Sequence, residues 1–177
     1  MNRLLKRQAL ILLLIPLLIE ACNKNDASKS SSQIDELTAN KKTTVAVVHA
    51  SAVGLGELLK KVADSATKVL TIRTFIDSVR FYQDNSGYFY VYNYQCINIA
   101  HATQPDLEGQ NLYDYQDSKG KYVIRELSKA ASKGGGFVEY FWIKPGETGE
   151  KLKIGYVEPI PGTNFFIGSG VYVPETK

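Results

Sequence analysis

The sequence predicts an α+β domain in which a long N-terminal helix, straight or kinked, packs on a central antiparallel sheet. Three observations carry this. Apolar residues recur at three- to four-residue spacing from Ile34 to Ile76, the period of a helix with one buried face. After Gly87 the period drops to two, as in strands. The later strands follow one another through short Gly- and Pro-marked connections, which suit antiparallel pairing with helices on the sheet's faces.

The helical stretch runs through Val45, Val48, Ala52, Leu55, Leu59, Val62, Ala66 and Val69. Gly54 and Gly56 flank Leu55 and weaken the helix there, so the pattern fits two helices or one kinked helix ending near Tyr82. Asp84-Asn85-Ser86-Gly87 is a stop signal. Residues 88–94, YFYVYNY, form a strand, and 97–102 a candidate second. Residues 103–121 read as loop, with Pro105, Gly109 and the turn Asp117-Ser118-Lys119-Gly120. Tyr122 to Lys133 is a helix closed by Gly134-Gly135-Gly136. Strands follow at 137–144, 151–159 and 165–173, joined at Lys144-Pro145-Gly146 and at Pro161-Gly162.

The N-terminus carries an address. Arg3, Lys6 and Arg7 precede the apolar run Ala9 to Ile19, which suits a secretory signal and is too short to span a bilayer. Ala21-Cys22 follows, and the segment resembles the lipobox of bacterial lipoproteins, where the cysteine is lipidated and the chain is cut before it. The expected organisation is a signal peptide at 1–21, a lipidated Cys22 with a polar tether to residue 33, and one domain over 34–177. The tether sequence, NKNDASKSSSQ, is too polar to fold by burial. The domain is then exported, lipid-anchored to a bacterial membrane and facing the periplasm or the cell exterior.

Charge excludes some partners. Arg3, Lys6, Arg7 and Glu20 all lie in the leader, so the formal +3 falls to +1 beyond it, and no nucleic-acid partner is implied. With Cys22 lipidated, Cys96 has no disulfide partner in the chain. No acid–base pair, nucleophile elbow or metal-ligand spacing can be assembled around His49 or His101, so no enzyme, cofactor or metal is expected.

Alternation puts Tyr88, Tyr90, Tyr92 and Tyr94 on one strand face, and Phe89 and Val91 on the other. The tyrosine face suits either a polar-tipped cavity or a cross-strand tyrosine ladder. Tyr140, Trp142 and Lys144 likewise share a face, where the tryptophan is either structural or a stacking platform. Lys153 and Tyr156, three apart, face opposite ways. Arg80 falls on the helix's apolar stripe, where a buried charge needs a carboxylate from the protein or from a ligand.

The series Arg80 … Gly87-Tyr88-Phe89-Tyr90-Val91-Tyr92 … His101 … Pro105-Asp106-Leu107-Glu108-Gly109 … Asp117-Ser118-Lys119-Gly120 … Gly136-Phe137-Val138-Glu139-Tyr140-Phe141-Trp142 … Lys153 … Tyr156-Val157 … Ile167-Gly168-Ser169-Gly170 resembles single Cache domains of bacterial extracytoplasmic sensors, over about residues 34–174. The resemblance implies a PAS-like fold with a small-molecule pocket on the sheet face away from the long helix. It implies small organic acids or similar metabolites as ligands, and a place in chemotaxis and signal transduction. Combined with face-sharing, it suggests Arg80 and Lys153 as cationic contacts. Tyr88, Tyr90, Tyr140, Trp142 and Tyr156 would form the walls, and His101 the cap. Because relatives sit in chemoreceptors and histidine kinases, a second expectation is an accessory lipoprotein that docks on a membrane sensor or transporter.

Overall fold

A computed structural model describes residues 17–175, with the side chains of Lys29 and of residues 31–175. The leader expected at 1–21 lies outside these residues up to position 16. The first helix, α1 (Leu17–Leu59), includes the backbone of the segment 23–33. Composition predicted an unfolded tether there; the segment is helical, with Lys29, Ser31 and Ser32 exposed. Among the described residues no helix is long and apolar enough to cross a membrane.

From Leu37 onward the chain forms one compact unit. There α1 buries Thr44, Val48, Ala52, Leu55 and Leu59, a stripe at helical spacing. Gly54 and Gly56 do not break the helix. A Cβ at Gly56 would come within 3.0 Å of the Pro161 carbonyl oxygen, so the glycine is there for close approach. The break comes five residues later. Asp64 caps a second helix, α2 (Ser65–Asp77), its side chain accepting the Thr67 N–H at 2.8 Å. That cap gives two helices, one of the two arrangements the pattern allowed, and α2 ends at Asp77, before Tyr82.

The sheet has five antiparallel strands: β1 (Tyr90–Asn93), β2 (Asn98–His101), β3 (Gly136–Ile143), β4 (Glu150–Pro159) and β5 (Phe165–Tyr172). Their order is β2-β1-β5-β4-β3. Three hairpins build it. The β1–β2 turn is held by the Asn93 side chain, which accepts the Gln95 and Ile97 N–H groups. The β3–β4 and β4–β5 turns use Gly146 and Gly162 at positive φ. The last strand then returns to pair with the first. The third helix, α3 (Val123–Ser132), buries Val123, Ile124, Leu127 and Ala131 and points Glu126 and Lys129 to solvent. The core is continuous through both sides of the sheet.

Candidate functional site

Strand alternation and three glycines make the site. Tyr90, Tyr92, Tyr140, Trp142 and Lys153 come from β1, β3 and β4, and His101 from β2, where it pairs in register with Tyr90. Beneath them the sheet carries Gly155, Gly168 and Gly170. A Cβ at Gly168 would lie 2.5 Å from the Tyr90 ring, one at Gly155 2.7 Å from Tyr140, and one at Gly170 2.9 Å from the Lys153 Cε. Real Cβ atoms do not come that close, so only glycine lets these side chains lie down on the sheet. With Tyr88, the six line a cavity roofed by Val123, Ile124 and Leu127 of α3. Its empty space is about 190 Å³, counting the open mouth.

The centre of the site is Lys153. It is fully buried, and its Nζ has no hydrogen-bond partner among the described residues. The nitrogen sits 3.9 Å from the ring centroid of Tyr88, 4.9 Å from Tyr172 and 5.4 Å from Tyr90. Burial holds its pKa well below the usual lysine value. The rings offer a cation partial compensation through their quadrupoles.

The surrounding hydroxyls are ordered in two relays. Tyr172 donates to the Ile143 carbonyl at 2.7 Å, which leaves its oxygen to accept from Tyr88 at 3.2 Å. Tyr140 donates to Tyr90 at 3.2 Å. Burial raises the Tyr88 hydroxyl to about 12, so it stays neutral.

His101 is buried, and its Nδ1 accepts the Gln104 N–H at 3.1 Å. That bond leaves the ring proton to Nε2 in the neutral tautomer. Its pKa is held down at about 3, first by burial and then by the positive charges of Lys153 and Arg80. Gln104 also accepts the Trp142 indole N–H at 2.7 Å. One residue thus orients both rings, whose centroids stack 6.1 Å apart.

Two expected residues stand apart from the cavity. Arg80 is exposed, and its guanidinium donates to the carbonyls of Asp77, Val79 and Ala102. Its fork meets the carbonyl end of α2 instead of a carboxylate. Tyr156 lies on the opposite sheet face, where it packs on Phe137 and donates to Glu158 at 2.8 Å. Glu158 in turn meets His49 of α1 at 2.9 Å. Lys144, expected on the Trp142 face, has left the sheet and pairs with Asp84 and Glu147. Other contributors were not singled out from sequence: the α3 roof, Tyr172 and Gln104. The apolar spacing of α3 was legible, but not which sheet face it covers.

Residues 16–177 match the Cache domain family. A stretch of 89 residues, 50% of the chain, is 37% identical to the sensor histidine kinase MctS of Rhizobium johnstonii. It spans only 19% of that protein. A methyl-accepting chemotaxis protein of Vibrio parahaemolyticus superposes with a TM-score of 0.69 at 31% identity, over 81% of this chain and 95% of that one. A Cache chemosensory domain studied for its recognition of carboxylic acid superposes at 0.68 with 30% identity, over 79% and 97%. The structural likeness and the family match agree: the chain belongs to the Cache domain family of sensor domains.

Proposed function

We propose that this protein is an extracytoplasmic binding module for a small organic acid, tethered to the membrane by lipid on Cys22. One observation carries the ligand class: Lys153 is a buried amine with no hydrogen-bond partner among the described residues, in a cavity walled by aromatic side chains. An unpaired buried charge is costly, and a ligand carboxylate would relieve that cost. The Nε2–H of His101 would supply a further hydrogen bond, and Trp142 and the α3 residues an apolar wall. The carboxylic acid recognition of the similar chemosensory domain supports the same class. The leader pattern before Cys22 supports the anchor.

The test is thermal unfolding of the purified protein against small monocarboxylates, dicarboxylates, amino acids and amines. A ligand at 100 times its dissociation constant adds about 2.7 kcal/mol of stability. Stabilisation confined to carboxylates is the expected result. Stabilisation by amines alone, or by nothing in the panel, sinks the reading.

A further inference from the structure

A buried amine without a partner has two ways to be relieved. It takes up a proton and meets an anion, or it spends its lone pair on carbon. The surroundings of Lys153 suit the second as well as the first. The side chain is fully buried, and its Nζ has no hydrogen-bond partner among the described residues. Three tyrosine rings stand around the nitrogen, their centroids 3.9, 4.9 and 5.4 Å away. Trp142, Val123, Ile124 and Leu127 extend the apolar wall. Such surroundings favour the uncharged amine. The uncharged amine is the form that attacks a carbonyl, and desolvation in an apolar pocket is one way to produce it. An exposed lysine at pH 7 is unprotonated in only about one copy in 2,500.

A small aldehyde meets matching groups in this cavity. His101 lines it, and with Nδ1 accepting the Gln104 N–H, Nε2–H is the ring's remaining donor. A hydrogen bond from it to the carbonyl oxygen draws charge from the carbon and favours attack there. The Nζ lone pair forms a C–N bond as the carbonyl π pair moves to oxygen. The two amine protons leave with that oxygen as one water, and a C=N bond remains. Nothing is oxidised or reduced. The resulting imine is neutral, so apolar walls hold it without the cost of a buried charge. Addition of water reverses the step.

We propose that Lys153 captures small uncharged aldehydes as a reversible imine, which gives the cavity a covalent ligand class besides the acids. Capture needs only the unpartnered nitrogen and the cavity, so it stands apart from the carboxylate reading.

The test treats the full-length purified protein with acetaldehyde or propionaldehyde and sodium cyanoborohydride, which turns an imine into a stable secondary amine. Peptide mass mapping then follows each lysine in the same tube. At pH 7 Lys153 is alkylated at least about 10-fold faster than the exposed Lys42, Lys61 and Lys133. That ratio narrows from pH 7 to pH 9, because exposed lysines gain about tenfold in free amine per pH unit. Lys153→Met loses the fast alkylation and keeps the slow one. Alkylation of Lys153 no faster than at the exposed lysines, or a ratio that does not narrow with pH, overturns capture. Should the variant not fold, the wild-type ratio and its pH course decide. The two readings fail separately. Capture falls alone if acids stabilise a protein whose Lys153 is not alkylated, and it stands alone if Lys153 is alkylated fast in a protein that no acid stabilises.

Discussion

The Nζ of Lys153 lies 3.9 Å from the ring centroid of Tyr88, inside the hydrophobic core. Lysine is among the side chains least often fully buried, and when buried it is usually paired. Here aromatic faces stand in for the acid. They attract a cation by about 2 kcal/mol or more when desolvated, well short of what solvation by water supplies. The free domain is therefore strained at this point, and an arriving carboxylate has something to relieve.

Lys153→Met should separate binding from folding. The substitution keeps the stem and removes the charge, so stability should hold or rise, as when buried ionic groups give way to apolar ones. Acid affinity should fall by about 2–5 kcal/mol, the cost of removing one partner of a desolvated charge pair. Urea unfolding and calorimetry on the same variant give both numbers. A variant that is destabilised yet binds acids normally would remove Lys153 from the site.

Proton uptake on binding gives an independent reading. The Lys153 pKa is lowered in the folded domain. Between that lowered value and the ordinary value of about 10.4, the unfolded chain holds a proton that the folded domain lacks, so the stability of the free domain rises with pH across this window. A bound carboxylate favours the charged amine and restores the proton. Binding should take up protons in the same window, and affinity should decline as pH rises through it. Calorimetry in buffers of different ionisation heat measures the uptake; none at any pH would contradict a carboxylate on Lys153.

His101 sets the acid side. Its pKa is about 3 in the fold, below the usual 6.5. Between these values the unfolded chain holds the extra proton, so stability present above pH 6.5 is lost as pH falls toward 3. From pH 7 to pH 5 this amounts to about 2 kcal/mol at the full slope of about 1.4 kcal/mol per unit. His101→Phe should lose correspondingly less over the same interval in urea unfolding. Parallel pH profiles would show that another group is responsible.

Much of this fold could be read from periodicity. Every strand lies within about two residues of its expected span, because alternation and turn glycines act locally. The helix break expected at Gly54 and Gly56 falls instead in the residues before Asp64, since packing on Pro161 outweighs the modest helix cost of glycine. In the site, alternation brought Tyr88, Tyr90, Tyr140 and Trp142 to one face. It could not show that Lys153 is buried, which depends on β5 lying beside β4 with glycines where side chains would otherwise stand. Arg80 misled for a related reason. Its place on the apolar stripe is real in sequence, but α2 ends at Asp77 and the side chain turns back to cap it.

The glycines themselves make the last prediction. At Gly168 an added Cβ would lie 2.5–2.7 Å from the Tyr90 ring, and at Gly155 it would strike both Tyr140 and the Tyr90 hydroxyl. Gly168→Ala and Gly155→Ala should each push a tyrosine up into the cavity. Overpacking of this kind costs about 1–3 kcal/mol of stability. The same displacement fills the space a ligand needs, so acid binding should weaken far more than stability does. Gly54→Ala is the contrast, because nothing lies within 4 Å of its Cβ and the residue is helical. It should add about 0.4–1 kcal/mol and leave binding untouched. Denaturant unfolding and titration with the acids that stabilise the wild type measure both effects. If Gly168→Ala and Gly155→Ala bind acids as tightly as Gly54→Ala does, the floor of the site lies elsewhere.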